Sequence, residues 1–172
     1  MSDTAASSER VPDFELPNVG VGPDPFSLAA AADDPDVDAI VLLFQRDHHC
    51  GNCRKQVQAV AERYDEFAAL NASVVSILPE PVERAREWQD SYDLPFALLA
   101  DSTTDVSDAY DQPVRFGVLG SLHDLVGRMP VATVLDVRSG DPVVAYTYEG
   151  RLPADRPEIG DLLAEIRALR AD

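Results

Sequence analysis

Both cysteines of this 172-residue chain fall in one tetrapeptide, Cys50-Gly51-Asn52-Cys53. Random scattering would give that spacing only about once in a hundred chains, so the pair calls for a chemical reason. Dithiol exchange supplies one. A thiolate is the attacking species, and a second thiol one helical turn away can close onto the first sulfur and release whatever it has captured. The nearby charges favour the thiolate. From Arg46 to Lys55 the cations Arg46, Arg54 and Lys55 stand against the single anion Asp47, inside a chain of formal charge −17. Positive charge and a helix N-terminus both hold a thiol below its free pKa of about 8.5. Cys50 is therefore the expected nucleophile and Cys53 the resolving thiol. Arg46, His49 and Lys55 are expected to stabilise the thiolate, and Gly51 to let substrate approach. A competing use is a non-enzymatic metal-binding module, with His48, His49, Cys50 and Cys53 as ligands for zinc or copper. Adjacent side chains on one short loop rarely converge tetrahedrally, and no second CxxC or HxxxH completes such a site, so exchange chemistry is the preferred reading and no metal is expected.

The elements around the pair must place it where a strand gives way to a helix. Ala39 to Gln45 is a continuous apolar run, the pattern of a strand buried on both faces. From Cys53 onward the spacing turns helical, with a stripe through Val57, Val60, Ala61, Tyr64, Phe67, Ala68 and Leu70. Further strands are expected over Ser73 to Leu78 and Phe96 to Ala100, with helices over Pro81 to Tyr92 and Thr103 to Tyr110. Upstream, Val11 to Pro17 alternates, Asn18 to Pro25 reads as a loop, and Phe26 to Ala32 as one or two helical turns. Residues 113 to 129 mix Gly117, Gly120 and Gly127 with an apolar helical patch from Leu119 to Val126. Val131 to Val137 and Val143 to Tyr148 form a hairpin across Arg138-Ser139-Gly140-Asp141, and Pro157 to Arg170 closes the chain as an amphipathic helix. Strands alternating with helices imply parallel pairing, and the hairpin adds antiparallel strands. The expected class is α/β, a three-layer sandwich with a mixed sheet and helices on both faces. Residues 1–10 read as a disordered tail and 11–172 as a single domain.

Charge and composition narrow the function. The 31 acidic residues are 21 Asp and 10 Glu, while the 14 basic ones are 13 Arg and the single Lys55. So acidic a chain argues against nucleic acid as a partner. An Asp-rich, Lys-poor surface is instead the pattern expected of a halophilic protein, whose self-repulsion is screened by concentrated salt. No apolar run reaches the roughly 18 residues of a membrane span, and residues 1–10 carry no hydrophobic signal core. The expectation is a soluble cytoplasmic protein without a membrane partner. Thiols are kept reduced in that compartment, which again favours working cysteines over a structural staple. No Gly-rich phosphate loop follows a long strand, so no organic cofactor is expected.

These residues together resemble the thioredoxin fold, and within it the redoxin branch: the peroxiredoxin family of alkyl hydroperoxide reductase and thiol-specific antioxidant proteins. Pro12-Asp13-Phe14-Glu15-Leu16-Pro17 is similar to that family's opening motif. Phe44 and Arg46 are similar to the stretch before its cysteine, and Val131 to Asp136 with Ser139-Gly140 resembles its hairpin. The resemblance spans about Val11 to Leu169. It departs at the Pro-x-x-x-Thr/Ser-x-x-Cys signature. With Cys50 as attacking residue the Thr and Pro positions hold Asp47 and Leu43; with Cys53 they hold Cys50 and Arg46. The thioredoxin core Trp-Cys-Gly-Pro-Cys-Lys is likewise replaced by His49-Cys50-Gly51-Asn52-Cys53-Arg54. The resemblance thus implies a thiol oxidoreductase that reduces a peroxide or a protein disulfide, with a general thioredoxin-like disulfide reductase as the alternative. It also implies a thiol electron donor, such as a thioredoxin or a low-molecular-weight thiol, and admits a homodimer. Pro130 matches the cis-proline facing the cysteines in such folds. Met129 and Pro130 would then form the opposing wall of the substrate site, with Arg128 beside them to stabilise an anionic peroxide oxygen.

Overall fold

The computed structural model describes residues 11–110, 130–152 and 154–171. Its elements begin with β1 (Glu15–Leu16), β2 (Phe26–Ser27), α1 (Leu28–Ala32), β3 (Ala39–Phe44), α2 (Gly51–Glu62), α3 (Tyr64–Ala68) and β4 (Ala72–Leu78). They continue with α4 (Val82–Tyr92), β5 (Ala97–Ala100), α5 (Asp105–Ala109), β6 (Val131–Asp136), β7 (Val143–Glu149) and α6 (Ile159–Arg170). The apolar run of β3 lies at the centre of a five-stranded sheet in the order β5-β4-β3-β6-β7. β4 runs parallel to β3 and β5 parallel to β4, while β6 and β7 are antiparallel to their neighbours. The mixed sheet expected from the alternation of elements is therefore present, with the hairpin joined directly to β3.

Every residue of β3 is buried, because its two faces feed two cores. Val41 and Leu43 point with Val57, Val60, Phe67, Trp88 and Ile166 into the core under α2, α3, α4 and α6. Ile40, Leu42 and Phe44 point the other way, to Phe14, Phe26, Leu28 and Leu135, where α1 and α5 pack. Alternation along one strand thus builds a three-layer sandwich with helices on both faces of the sheet.

Two local expectations are corrected. The helical stripe running to Leu70 is broken at Arg63, whose backbone leaves helical geometry (φ −110°, ψ 16°), so α2 and α3 are separate and Phe67 beyond the break is fully buried. Phe26 and Ser27, expected to begin a helix, instead pair with Leu16 and Glu15 in a small antiparallel ribbon. Ser27 is extended and its hydroxyl accepts from the Ala30 amide at 3.2 Å, so the helix can begin only at Leu28.

The loop between the two short strands is tied by one buried side chain. Asn18 Nδ2 donates to the Val21 and Pro23 carbonyls, and Oδ1 accepts from the Gly20 and Leu98 amides. Gly20 lies so close to β5 that a Cβ there would stand 2.5 Å from the Phe96 carbonyl oxygen and 2.7 Å from the Leu98 nitrogen. Among the described residues, no helix is long and apolar enough to cross a membrane. The apolar patch from Leu119 to Val126, the tail 1–10, Arg128, Met129 and the Met129–Pro130 peptide lie outside the described residues.

Candidate active site

β3 ends at Phe44, and residues 45–49 carry the chain from the C-terminal end of this central strand to the first turn of α2. Cys50 is extended and takes the N-cap position, where a side-chain acceptor is wanted; its Sγ accepts from the Cys53 amide at 3.1 Å. One turn on, Cys53 lies with its Cα 5.2 Å from that of Cys50, and the two are joined as a disulfide. Both residues are buried, Cys53 at 0% exposed and Cys50 at 6%.

Both sulfurs are served by one cation that sequence reasoning missed. Arg156, in the segment between β7 and α6, donates through Nη2 to Cys53 Sγ at 2.9 Å and to Cys50 Sγ at 3.3 Å. Its Nη1 donates to the Asp155 carbonyl at 2.7 Å. Burial, and then the neighbouring charge of Arg46, lower its pKa to about 10, still above neutral pH, so the guanidinium keeps its charge there. The segment that delivers it is anchored twice. Asp155 Oδ2 accepts from the Arg151 and Leu152 amides, both at 2.9 Å, and the Gly150 amide donates to the Pro130 carbonyl at 2.9 Å. Gly150 is packed so tightly on Pro130 that a Cβ would lie 2.5 Å from the proline Cγ. Arg156 stands 106 residues from Cys50, and only the fold brings the two together. Its one local signal is its setting, Asp155-Arg156-Pro157 in a loop just before a helix.

The cations expected from the sequence take different places. Arg46 is half-buried, its amide donates to Cys53 Sγ at 3.3 Å, and its charge is felt by Arg156. His49 is exposed; its ring meets the Arg84 guanidinium at 3.2 Å, and its amide donates to Asp47 Oδ1. Lys55 is exposed on α2 and makes no hydrogen bond to either sulfur. Gly51 is exposed with open space where a Cβ would stand. Pro130 is buried against Gly150.

His48 is turned away from the sulfurs. Its Nε2 lies 2.7 Å from Glu87 Oε2, and its Nδ1 lies 3.5 Å from Arg84. Its amide donates to Glu80, while its carbonyl accepts from Arg54 Nε at 2.9 Å and from the indole of buried Trp88 at 3.0 Å. The four-ligand arrangement of His48, His49, Cys50 and Cys53 is therefore not assembled. Among the described residues, no group of three or more His, Cys, Asp or Glu is placed to hold a metal ion.

The family described as AhpC/TSA matches residues 8–119. A chloroplastic peroxiredoxin Q of Oryza sativa subsp. japonica is 28% identical over 132 residues, covering 76% of this chain and 55% of its own length. The chain thus spans about half the length of that relative. A putative peroxiredoxin of Mycobacterium tuberculosis is 27% identical over 165 residues, covering 96% of this chain and 98% of its own. Among solved structures, the peroxidoxin BcpB of Mycobacterium tuberculosis superposes with a TM-score of 0.73 at 24% identity, over 93% of this chain and 95% of that one. That likeness speaks for the fold, a thioredoxin-like sandwich. Arg156 and the hairpin of β6 and β7 lie beyond the segment that the family match covers.

Proposed function

The chain belongs to the AhpC/TSA family, and on that footing we propose that it is a thiol peroxidase whose working group is the Cys50–Cys53 pair. The observation that carries this reading is the pair in the first turn of α2 with the Arg156 guanidinium bonded to both sulfurs. The Cys50 thiolate attacks one oxygen of a hydroperoxide: an S–O bond forms, the O–O bond breaks, and the alkoxide or hydroxide leaves with a proton as alcohol or water. Cys53 then attacks the resulting sulfenic sulfur, water leaves, and the disulfide forms. Two equivalents of a thiol donor, either low-molecular-weight thiols or the paired thiols of a thioredoxin, return the pair to the dithiol by exchange. Arg156 and the α2 N-terminus stabilise the anion at each stage at which a thiolate is present. Peroxide is the substrate class that the family favours; a protein disulfide could enter the same cycle by attack of Cys50 on its sulfur. We place the protein in a reducing compartment, where such a cycle can be fed.

The test is turnover of reduced protein in high salt. Hydrogen peroxide consumption is followed beside reduction of insulin disulfides, with Cys50→Ser as blank in each. Peroxide consumption that disappears in Cys50→Ser is the expected result. Disulfide reduction alone would make the protein a thioredoxin-like reductant, and silence in both assays would sink the redox reading.

A further inference from the structure

Residues on both sides of the cysteine pair are tied to a single helix. Two positions before Cys50, His48 is held through its ring by Glu87 and through its carbonyl by the Trp88 indole, both on α4, while its amide donates to Glu80 just ahead of that helix. Directly after Cys53, the Arg54 guanidinium lies 5.4 Å from the centre of the Trp88 ring and 5.9 Å from that of Tyr92. Its Nη1 donates to the Tyr92 hydroxyl at 3.0 Å and its Nε to the His48 carbonyl at 2.9 Å. Arg54 therefore joins the two flanks to each other as well as to α4. Between these anchors the disulfide spans one intact helical turn, and the Arg54 amide still donates to the Cys50 carbonyl at 3.1 Å. Closing the bond requires no opening of the helix. This cluster is separate from the sulfur contacts of Arg156, and it explains why a buried histidine precedes the pair without facing it.

We propose that His48 and Arg54 are positioning residues, clamped on α4 so that Cys53 stays within bonding reach of Cys50 in the dithiol as well as in the disulfide. The inference rests on the assignment of Cys50 and Cys53 as the exchanging pair. It has two consequences. The first is a high effective concentration of one thiol at the other, since the freedom that ring closure would remove has already been removed by the fold. The second concerns peroxide. A sulfenic acid on Cys50 has two fates: attack by Cys53, which forms the disulfide and releases water, or reaction with a second peroxide, which adds an oxygen to give the sulfinic acid and releases water or alcohol. A clamped Cys53 wins that competition.

The experiment uses the full chain in high salt with His48→Ala and Tyr92→Phe. The second variant removes only the hydroxyl that receives Arg54, and each is checked for folding by far-ultraviolet circular dichroism. The equilibrium between protein dithiol and oxidised glutathione, giving protein disulfide and two reduced glutathiones, measures the effective concentration directly. Loss of the clamp is expected to lower it about tenfold in His48→Ala and about threefold in Tyr92→Phe, a modest part of what preorganisation can supply. Pulses of excess peroxide followed by intact-mass measurement should show a rise of several fold in the sulfinic form of both variants over wild type. Folded variants whose glutathione equilibrium matches wild type would overturn the clamp. A wild-type protein that leaves peroxide untouched would overturn the peroxidase reading instead, and the glutathione equilibrium would still decide the clamp. If His48→Ala fails to fold, Tyr92→Phe decides the matter alone.

Discussion

The two sulfurs share a guanidinium but not an environment, and the roles proposed for them rest on that difference. Cys50 caps α2 and is 6% exposed; Cys53 is 0% exposed, with the Arg46 amide and Arg156 bonded to its sulfur. Removing the cation while keeping a hydrogen-bonding side chain, as in Arg156→Gln, should disfavour the Cys50 thiolate, the usual effect of losing an adjacent opposite charge. Turnover at neutral pH should then fall about tenfold or more and recover as pH is raised, because the rate follows the thiolate fraction. Thiolate absorbance titration beside the pH–rate profile checks both parts; an unchanged titration would remove Arg156 from the chemistry. The cysteine pair was legible in the sequence because its meaning lies in a spacing of three. Arg156 was not, because its meaning lies in a contact across 106 residues. His48 was visible in the sequence only as a candidate metal ligand, and its place in the structure is set by α4, a partner that no local pattern names.

Among the elements, the segment between β7 and α6 matters most to the site, since it carries Arg156 and is fixed at Gly150 and Asp155. Gly150→Ala would push a methyl group into Pro130, 2.5 Å from its Cγ, and the neighbour that must yield is a buried ring. Close packing of this kind typically costs about 1–3 kcal/mol when overfilled. The expected outcome is a folded protein with a lowered melting temperature and a loss of turnover resembling that of Arg156→Gln. Full activity in Gly150→Ala would show that the loop does not need this anchor. β3, β4, β6 and the last helix were readable from the run and period of their apolar residues, because those residues face cores on one or both sides of the sheet. The break at Arg63 was not, since neither proline nor glycine marks it and the apolar stripe passes through it unchanged. Phe26 and Ser27 went to a ribbon rather than a helix because pairing with Leu16 and Glu15 outweighed a weak local preference.

At the scale of the whole molecule, 31 acidic groups against 14 basic ones set a background of self-repulsion that the compact fold must bear. Screening should relieve it: the melting temperature is expected to rise as KCl is increased from about 0.1 M to about 2 M, where the Debye length shrinks to a few ångströms. A flat or falling melting curve would show that the charge is not a burden on stability. Against that background the site is a local exception, with Arg46, Arg54, Arg84 and Arg156 gathered around one pair of sulfurs and the histidines before it. Cys50 as the attacking sulfur is the point on which the cycle depends, and one measurement addresses it most directly. Reduced Cys53→Ser protein is given one equivalent of hydrogen peroxide, and the site of oxidation is located by mass spectrometry after trapping with dimedone. A dimedone adduct on Cys50, formed in step with the peroxide consumed, is the predicted result; a Cys53→Ser protein that forms no adduct on Cys50 would contradict it.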